Sequence, residues 1–154
     1  MKVLIVILFN AFAYATIVMR PKLYDVKLFK PMIKNFKLSI TPIFILLGSI
    51  VSFILFRSIY IHSGNKIFDY IGIGLGVLGL ILWILMLPNS SYLVTELNLT
   101  HRNMDENEVP IWYDIVSVLS FAMSGVFNTV VNILLIQYMV IIVFDPDVLT
   151  KAHY

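Results

Sequence analysis

Cysteine is absent from all 154 residues, which excludes disulfides, thiolate metal sites and thiol nucleophiles and leaves the redox compartment unmarked. Charge is nearly as scarce. Asp, Glu, Lys and Arg make up 13% of the chain, whereas an average soluble domain carries about 25%, so most side chains here need an apolar solvent to face. The signatures of common catalysts are also missing. There is no HExxH, no GxSxG and no Asp-rich cluster of the kind that binds a metal diphosphate. Histidine occurs at three scattered positions, and no metal, cofactor or nucleic-acid partner is expected.

What the chain has instead is long apolar runs. Ile115 to Phe144 contains no charged residue, and Val3 to Met19, Pro42 to Phe56 and Tyr70 to Leu87 are almost as apolar. About 18 or more such residues, rising about 1.5 Å each, cross a hydrocarbon core of about 30 Å. The expected class is therefore an all-α membrane protein, a single transmembrane domain over 1–154 with helices at about 3–19, 42–61, 68–87 and 113–144. A basic amphipathic surface segment should follow the first helix, and a short interfacial helix should join the third to the fourth.

Charge distribution sets the expected orientation. Six of the eleven basic residues, Arg20, Lys22, Lys27, Lys30, Lys34 and Lys37, fall after the first apolar run. Loops 20–41 and 88–112 are then cytoplasmic, with both termini outside. The alternative for the N-terminus is a signal peptide, since Lys2 precedes an apolar run and Ala13-Tyr14-Ala15 fits a small-x-small cleavage pattern. Cleavage there would require the six cations to be translocated, so a retained helix is the better account.

Between Val26 and Phe36 the lysines recur at spacings of three and four, with Val26, Phe29, Ile33 and Phe36 offset on the same period. Lys27, Lys30, Lys34 and Lys37 are candidates for contact with anionic lipid headgroups, with the apolar residues entering the headgroup boundary. The second reading is an irregular basic loop that only fixes orientation. Pro31 predicts a break into two short pieces. Thr41 and Pro42 then read as N-cap and first position of the next helix. Near its far end, Arg57 is expected to snorkel toward the outer headgroups.

In the third helix Gly72 and Gly76 form a GxxxG pair and Gly79 continues the face, which predicts close approach of another helix. Trp83 is expected in the aromatic belt at the inner interface. The fourth helix carries Ser117, Ser120, Ser124, Asn128 and Asn132 at steps of three and four. At about 100° per residue they occupy one face, with Asp114 on the same side. An amide facing lipid is costly, so the stripe should face other helices, a partner, or water.

Chemistry-bearing residues concentrate from Leu87 to Asp114. Asn89, Ser90 or Ser91 would cap a short helix on which Tyr92 and Glu96, four apart, share a face with Thr95 nearby. Asn89, Tyr92, Thr95, Glu96, His101, Trp112, Tyr113 and Asp114 are the candidate binding residues. Glu96 and Asp114 are the candidate catalytic carboxylates, as an acid/base pair or a cation site with Asn89 or His101. Asn89, Tyr92, Glu96 and Asp114 are expected to form one cluster at the cytoplasmic face. The alternative is that they cap helices and anchor the loop.

Leu87, Pro88, Asn89, Tyr92, Val94, Thr95, Glu96 and Leu97, followed by Trp112, Tyr113 and Asp114, resemble the hallmark of an uncharacterised bacterial integral-membrane family, a domain of unknown function. That hallmark reads Leu-Pro-Asn, two small residues, Tyr-x-Val-Thr, an acid and Leu, then Trp-Tyr-Asp at the next helix. The family usually has aspartate where this chain has Glu96, which keeps the charge on a longer arm. The resemblance covers Trp83 to about Gln137. It implies a multi-pass protein of the bacterial cytoplasmic membrane and brings no activity with it. Members of that family continue into further helices with a Gly-Arg motif, and no Gly-Arg pair occurs in this sequence.

Three functions are consistent with these residues. The first is a small non-catalytic subunit that assembles with itself or with another membrane protein. The second is a transporter component with a solute pathway along the polar face of the fourth helix. The third is an interfacial enzyme using Glu96 and Asp114.

Overall fold

The computed structural model describes residues 2–28, 30–97 and 109–144. Side chains of Glu96, His101, Asp105, Glu106 and Glu108 lie outside what it describes. Among the described residues every regular element is helical: α1 (Lys2–Tyr24), α2 (Lys30–Ser63), α3 (Lys66–Met86), α4 (Pro88–Ser91) leading into a 3₁₀ turn (Tyr92–Leu97), and α5 (Ile111–Phe144). Four stretches, Leu4–Tyr24, Lys30–Ser63, Lys66–Thr95 and Ile111–Ile141, are long and apolar enough to cross a membrane.

The helix ends follow from local chemistry. Past α1, Asp25 takes a left-handed conformation, φ 51°, the geometry in which helices commonly stop. Past α2, Gly64 does the same at φ 66°, and its N–H returns to the Tyr60 carbonyl at 2.9 Å. Asn65 then starts α3, its side-chain oxygen accepting the Ile67 N–H at 3.0 Å in the manner of an N-cap.

Two prolines act differently from the sequence expectation. Pro31 does not break the basic segment, because it is the second residue of α2, where the helix needs no N–H donor. Nor do Thr41 and Pro42 begin a helix. Pro42 is buried inside α2, and Thr41 turns its hydroxyl back to the Lys37 carbonyl at 2.9 Å. The basic segment and the second spanning helix are thus one helix of 34 residues. The single backbone bond forfeited at Pro42 is tolerable in a helix braced by neighbours. Helix α1 likewise continues through Pro21 to Tyr24, beyond the expected end near 19.

The chain divides into two compact units, residues 1–41 with 87–130 and residues 42–86 with 131–154. In the first unit Ala13, Ile17, Phe36, Leu93 and Phe121 form a buried cluster, with Met32, Ile33 and Ile40 against it. The Phe36 ring lies 6.0 Å from Phe121 and 5.4 Å from Tyr14. Of the apolar side of the amphipathic segment, Ile33 and Phe36 therefore pack on protein rather than entering the headgroup boundary, while Lys30, Lys34 and Lys37 remain exposed. Gly125 lets α5 lie close to the turn carrying Leu93, since a Cβ there would come within 2.9 Å of the Ser90 carbonyl oxygen and of Leu93 Cβ.

In the second unit the glycine face of α3 packs against α2. A Cβ on Gly79 would overlap the Ser49 side chain, and one on Gly72 would lie 3.0 Å from Phe56 Cβ. Ser49 Oγ donates to the Gly76 carbonyl at 3.3 Å. Gly48 and Gly74 have open space where their Cβ atoms would be. Arg57 is paired with Asp69, Nη1 to Oδ1 at 3.1 Å, so an ionic partner on α3 fixes the side chain that was expected only to snorkel.

Candidate functional site

The polar residues of the first unit form two connected groups. At one end, Arg20 near the C-terminus of α1 meets Asp114 in the first turn of α5. Nε lies 2.9 Å from Oδ1 and Nη2 lies 3.4 Å from Oδ2. A cation late in one helix and an anion early in another also suit the two helix dipoles. Beside this pair, the Tyr113 hydroxyl donates to the Thr16 carbonyl at 2.7 Å. The Tyr113 ring rests edge-on against Tyr24 at 5.1 Å. Ser117 Oγ donates to Thr16 Oγ1 at 3.3 Å, and that hydroxyl donates in turn to the Ala13 carbonyl at 2.8 Å.

The second group is a ladder of amides and hydroxyls. Asn10 Nδ2 donates to Asn128 Oδ1 at 2.9 Å, and Asn128 Nδ2 donates to Ser39 Oγ at 3.0 Å. Ser39 Oγ passes its hydrogen to the Ser90 carbonyl at 3.0 Å, while Ser90 Oγ donates to the Ser39 carbonyl at 3.2 Å. Side chains on α1, α2, α4 and α5 are thereby joined through groups that would be costly to bury alone. Asn10 Oδ1 is buried and has no hydrogen-bond partner among the described residues.

Ser117, Ser120, Ser124, Asn128 and Asn132 are all buried, but they do different things. Ser120 and Ser124 bond carbonyls of their own helix, at Val116 and Phe121, and serve as small residues permitting close packing. Ser117 and Asn128 reach other helices of the first unit. In the second unit Asn132 Oδ1 accepts from Trp83 Nε1 at 2.8 Å. Trp83 is 9% exposed and is not an interfacial belt residue. Its indole N–H needs an acceptor once buried, and Asn132 supplies it.

Of the expected cluster around Glu96, the structure describes the turn and the other members. Tyr92 and Glu96 belong to a 3₁₀ turn, in which position i+3 rather than i+4 lies over position i. Thr95 accordingly folds onto Tyr92, its hydroxyl 2.6 Å from the Tyr92 carbonyl. The turn before it starts with Pro88 in the first helical position and no side-chain cap, so Asn89, Ser90 and Ser91 do not cap it. Asn89 is half-buried, and Tyr92 and Trp112 are exposed. Among the described residues Arg20 donates to Asp114. The expected roles of Glu96 and His101 fall outside the described side chains. Among the described residues no group of three or more His, Asp or Glu gathers as metal ligands would.

Sequence reasoning passed over Asn10, Thr16, Arg20 and Ser39 as site residues. A signal for Asn10 was present, because a lone amide inside an apolar span implies a polar partner on another helix.

This arrangement defines an all-α integral membrane protein held together by buried polar contacts between its helices. The chain belongs to the family described as Protein of unknown function (DUF1361), which matches residues 43–153. The match is wider than the 83–137 stretch that carries the hallmark resemblance, and Asn10, Thr16, Arg20 and Ser39 precede it. No curated protein and no solved structure matches the chain.

Proposed function

We propose that this protein is a small non-catalytic membrane subunit that acts by assembling with another membrane protein or with copies of itself. The observation that carries the reading is the use made of the polar side chains. Both Asp114 oxygens are engaged by Arg20, and Asn128 and Asn132 bond side chains of neighbouring helices, which leaves these groups bracing the fold rather than awaiting substrate. Support for assembly comes from the outer surfaces. Gly48 and Gly74 expose bare backbone with nothing within 4 Å, among the exposed apolar side chains of Phe44, Leu47 and Val51 on α2 and of Ile71, Ile73 and Val77 on α3, and small residues in such stretches favour close contact between chains.

In this reading the protein sits in the bacterial cytoplasmic membrane with both termini outside and 20–41 and 88–112 in the cytoplasm, because seven of eleven cations then lie inside. Mild-detergent extraction of the tagged chain should recover a stoichiometric membrane partner or a homo-oligomer. A monodisperse monomer with no partner would remove the proposal.

One atom favours a second reading, a solute or ion pathway along α5. Among the described residues Asn10 Oδ1 is a buried acceptor without a donor, as a transient ligand or water would require. Flux in liposomes that is lost in Asn128→Leu would establish it.

A further inference from the structure

We propose that the lysine face at the start of α2, formed by Lys30, Lys34 and Lys37, binds anionic phospholipid headgroups. The inference does not depend on the subunit reading. At about 100° per residue these positions fall within about 60° of one another on the helix surface. On a face centred about 110° round the helix from them, Met32, Ile33, Phe36 and Ile40 pack in or against the protein core, while all three lysines are exposed.

Packing within the first unit sets their depth. Phe36 lies against Tyr14 of α1 and Phe121 of α5, six residues before Arg20 and seven past Asp114, so at about 1.5 Å per residue it sits about 10 Å along the span from the Arg20–Asp114 pair. That pair marks the ends of two apolar runs, at Met19 and Ile115. Counting back along α2, Lys30 is level with the pair at the hydrocarbon edge, and Lys34 and Lys37 lie about 7 and about 11 Å inside it. From there their flexible arms reach outward to the headgroup phosphates.

Charge complementarity selects the lipid. Asp25 is the one acidic residue between Arg20 and Thr41, against six cations. A zwitterionic headgroup carries its own ammonium and gains little from such a surface, whereas each lysine near an anionic leaflet strengthens association about fivefold. Packing of Phe36 on α1 and α5 holds the lysines just beneath the headgroups without a separate docking step.

The test uses the full chain in mild detergent, offered equimolar phosphatidylglycerol and phosphatidylcholine, with retained lipid counted by native mass spectrometry. Phosphatidylglycerol should be retained about tenfold or more over phosphatidylcholine, and K30Q/K34Q/K37Q should lose at least about tenfold in that preference. Lys66→Gln should keep the preference, as should K30R/K34R/K37R, and excess inorganic phosphate should not displace the lipid. Should the triple Gln variant fail to fold, Lys30→Gln alone should cost about fivefold. Equal retention of the two lipids, a preference indifferent to the Gln substitutions, or displacement by inorganic phosphate would each overturn the assignment.

Discussion

Arg20 grips Asp114 side-on, with Nε 2.9 Å from one carboxylate oxygen and Nη2 3.4 Å from the other. The pair ties the end of α1 to the first turn of α5. Its side-chain exposures are 26% for Arg20 and 12% for Asp114, so it is sheltered without being fully buried. Removing one charge strands the other in that shelter.

Asp114→Asn should therefore lower thermal stability in detergent by about 1–3 kcal/mol, below the ~3–5 kcal/mol of a fully buried pair because water still reaches the guanidinium. Replacing both residues together, Arg20→Met with Asp114→Leu, should restore most of the loss. The decisive number is the double variant's unfolding midpoint. If it falls below that of either single variant, the stranded-charge account fails.

The amide ladder gives a second expectation. Asn128→Leu removes the bonds to Asn10 and Ser39, and each such bond between membrane helices contributes about 0.6–2 kcal/mol. The variant should insert normally and melt earlier. A double-mutant cycle with Asn10→Leu should return a coupling of about 0.6–1.7 kcal/mol. Strict additivity would mean that the contact contributes nothing.

Glycines of α3 should separate cleanly by position. Gly79→Ala forces a methyl group into the Ser49 side chain and should destabilise by about 1–3 kcal/mol, as overpacking does. Gly74→Ala meets nothing within 4 Å and should fall within about 0.5 kcal/mol of the parent as a monomer. Ser49→Gly should rescue much of Gly79→Ala. Equal effects at positions 74 and 79 would contradict the packing described for the second unit.

Orientation is checked with single cysteines, for which the absence of native cysteine gives a clean background. In intact cells an impermeant thiol reagent should label Ser63→Cys and spare Asn103→Cys. The reverse pattern would invert the topology.

Class and helix number were legible in the sequence because they depend on one scalar property. A run of about 18 apolar residues needs an apolar solvent whatever its neighbours do. The face of α5 was legible for a similar reason, since a helix repeats every 3.6 residues regardless of context. Helix boundaries were less so. A proline signals a helix start or a break according to which neighbours hold the freed carbonyl, and local sequence does not contain those neighbours. Pro31 and Pro42 were therefore both misplaced.

The partners were decided by tertiary structure alone. Arg20 and Asp114 lie 94 positions apart and Asn10 and Asn128 lie 118 apart, distances over which periodicity carries no information. The sequence by itself determined that polar groups on α5 must be shielded from lipid, because an unpaired amide in hydrocarbon is costly. Which helix shields each of them was set by packing: where Gly125 and Gly79 let backbones come close, which side of α2 turns inward with Phe36, and where a 3₁₀ turn replaces an α-turn at Tyr92. These are outcomes of fitting side-chain volumes together, and no single segment specifies them.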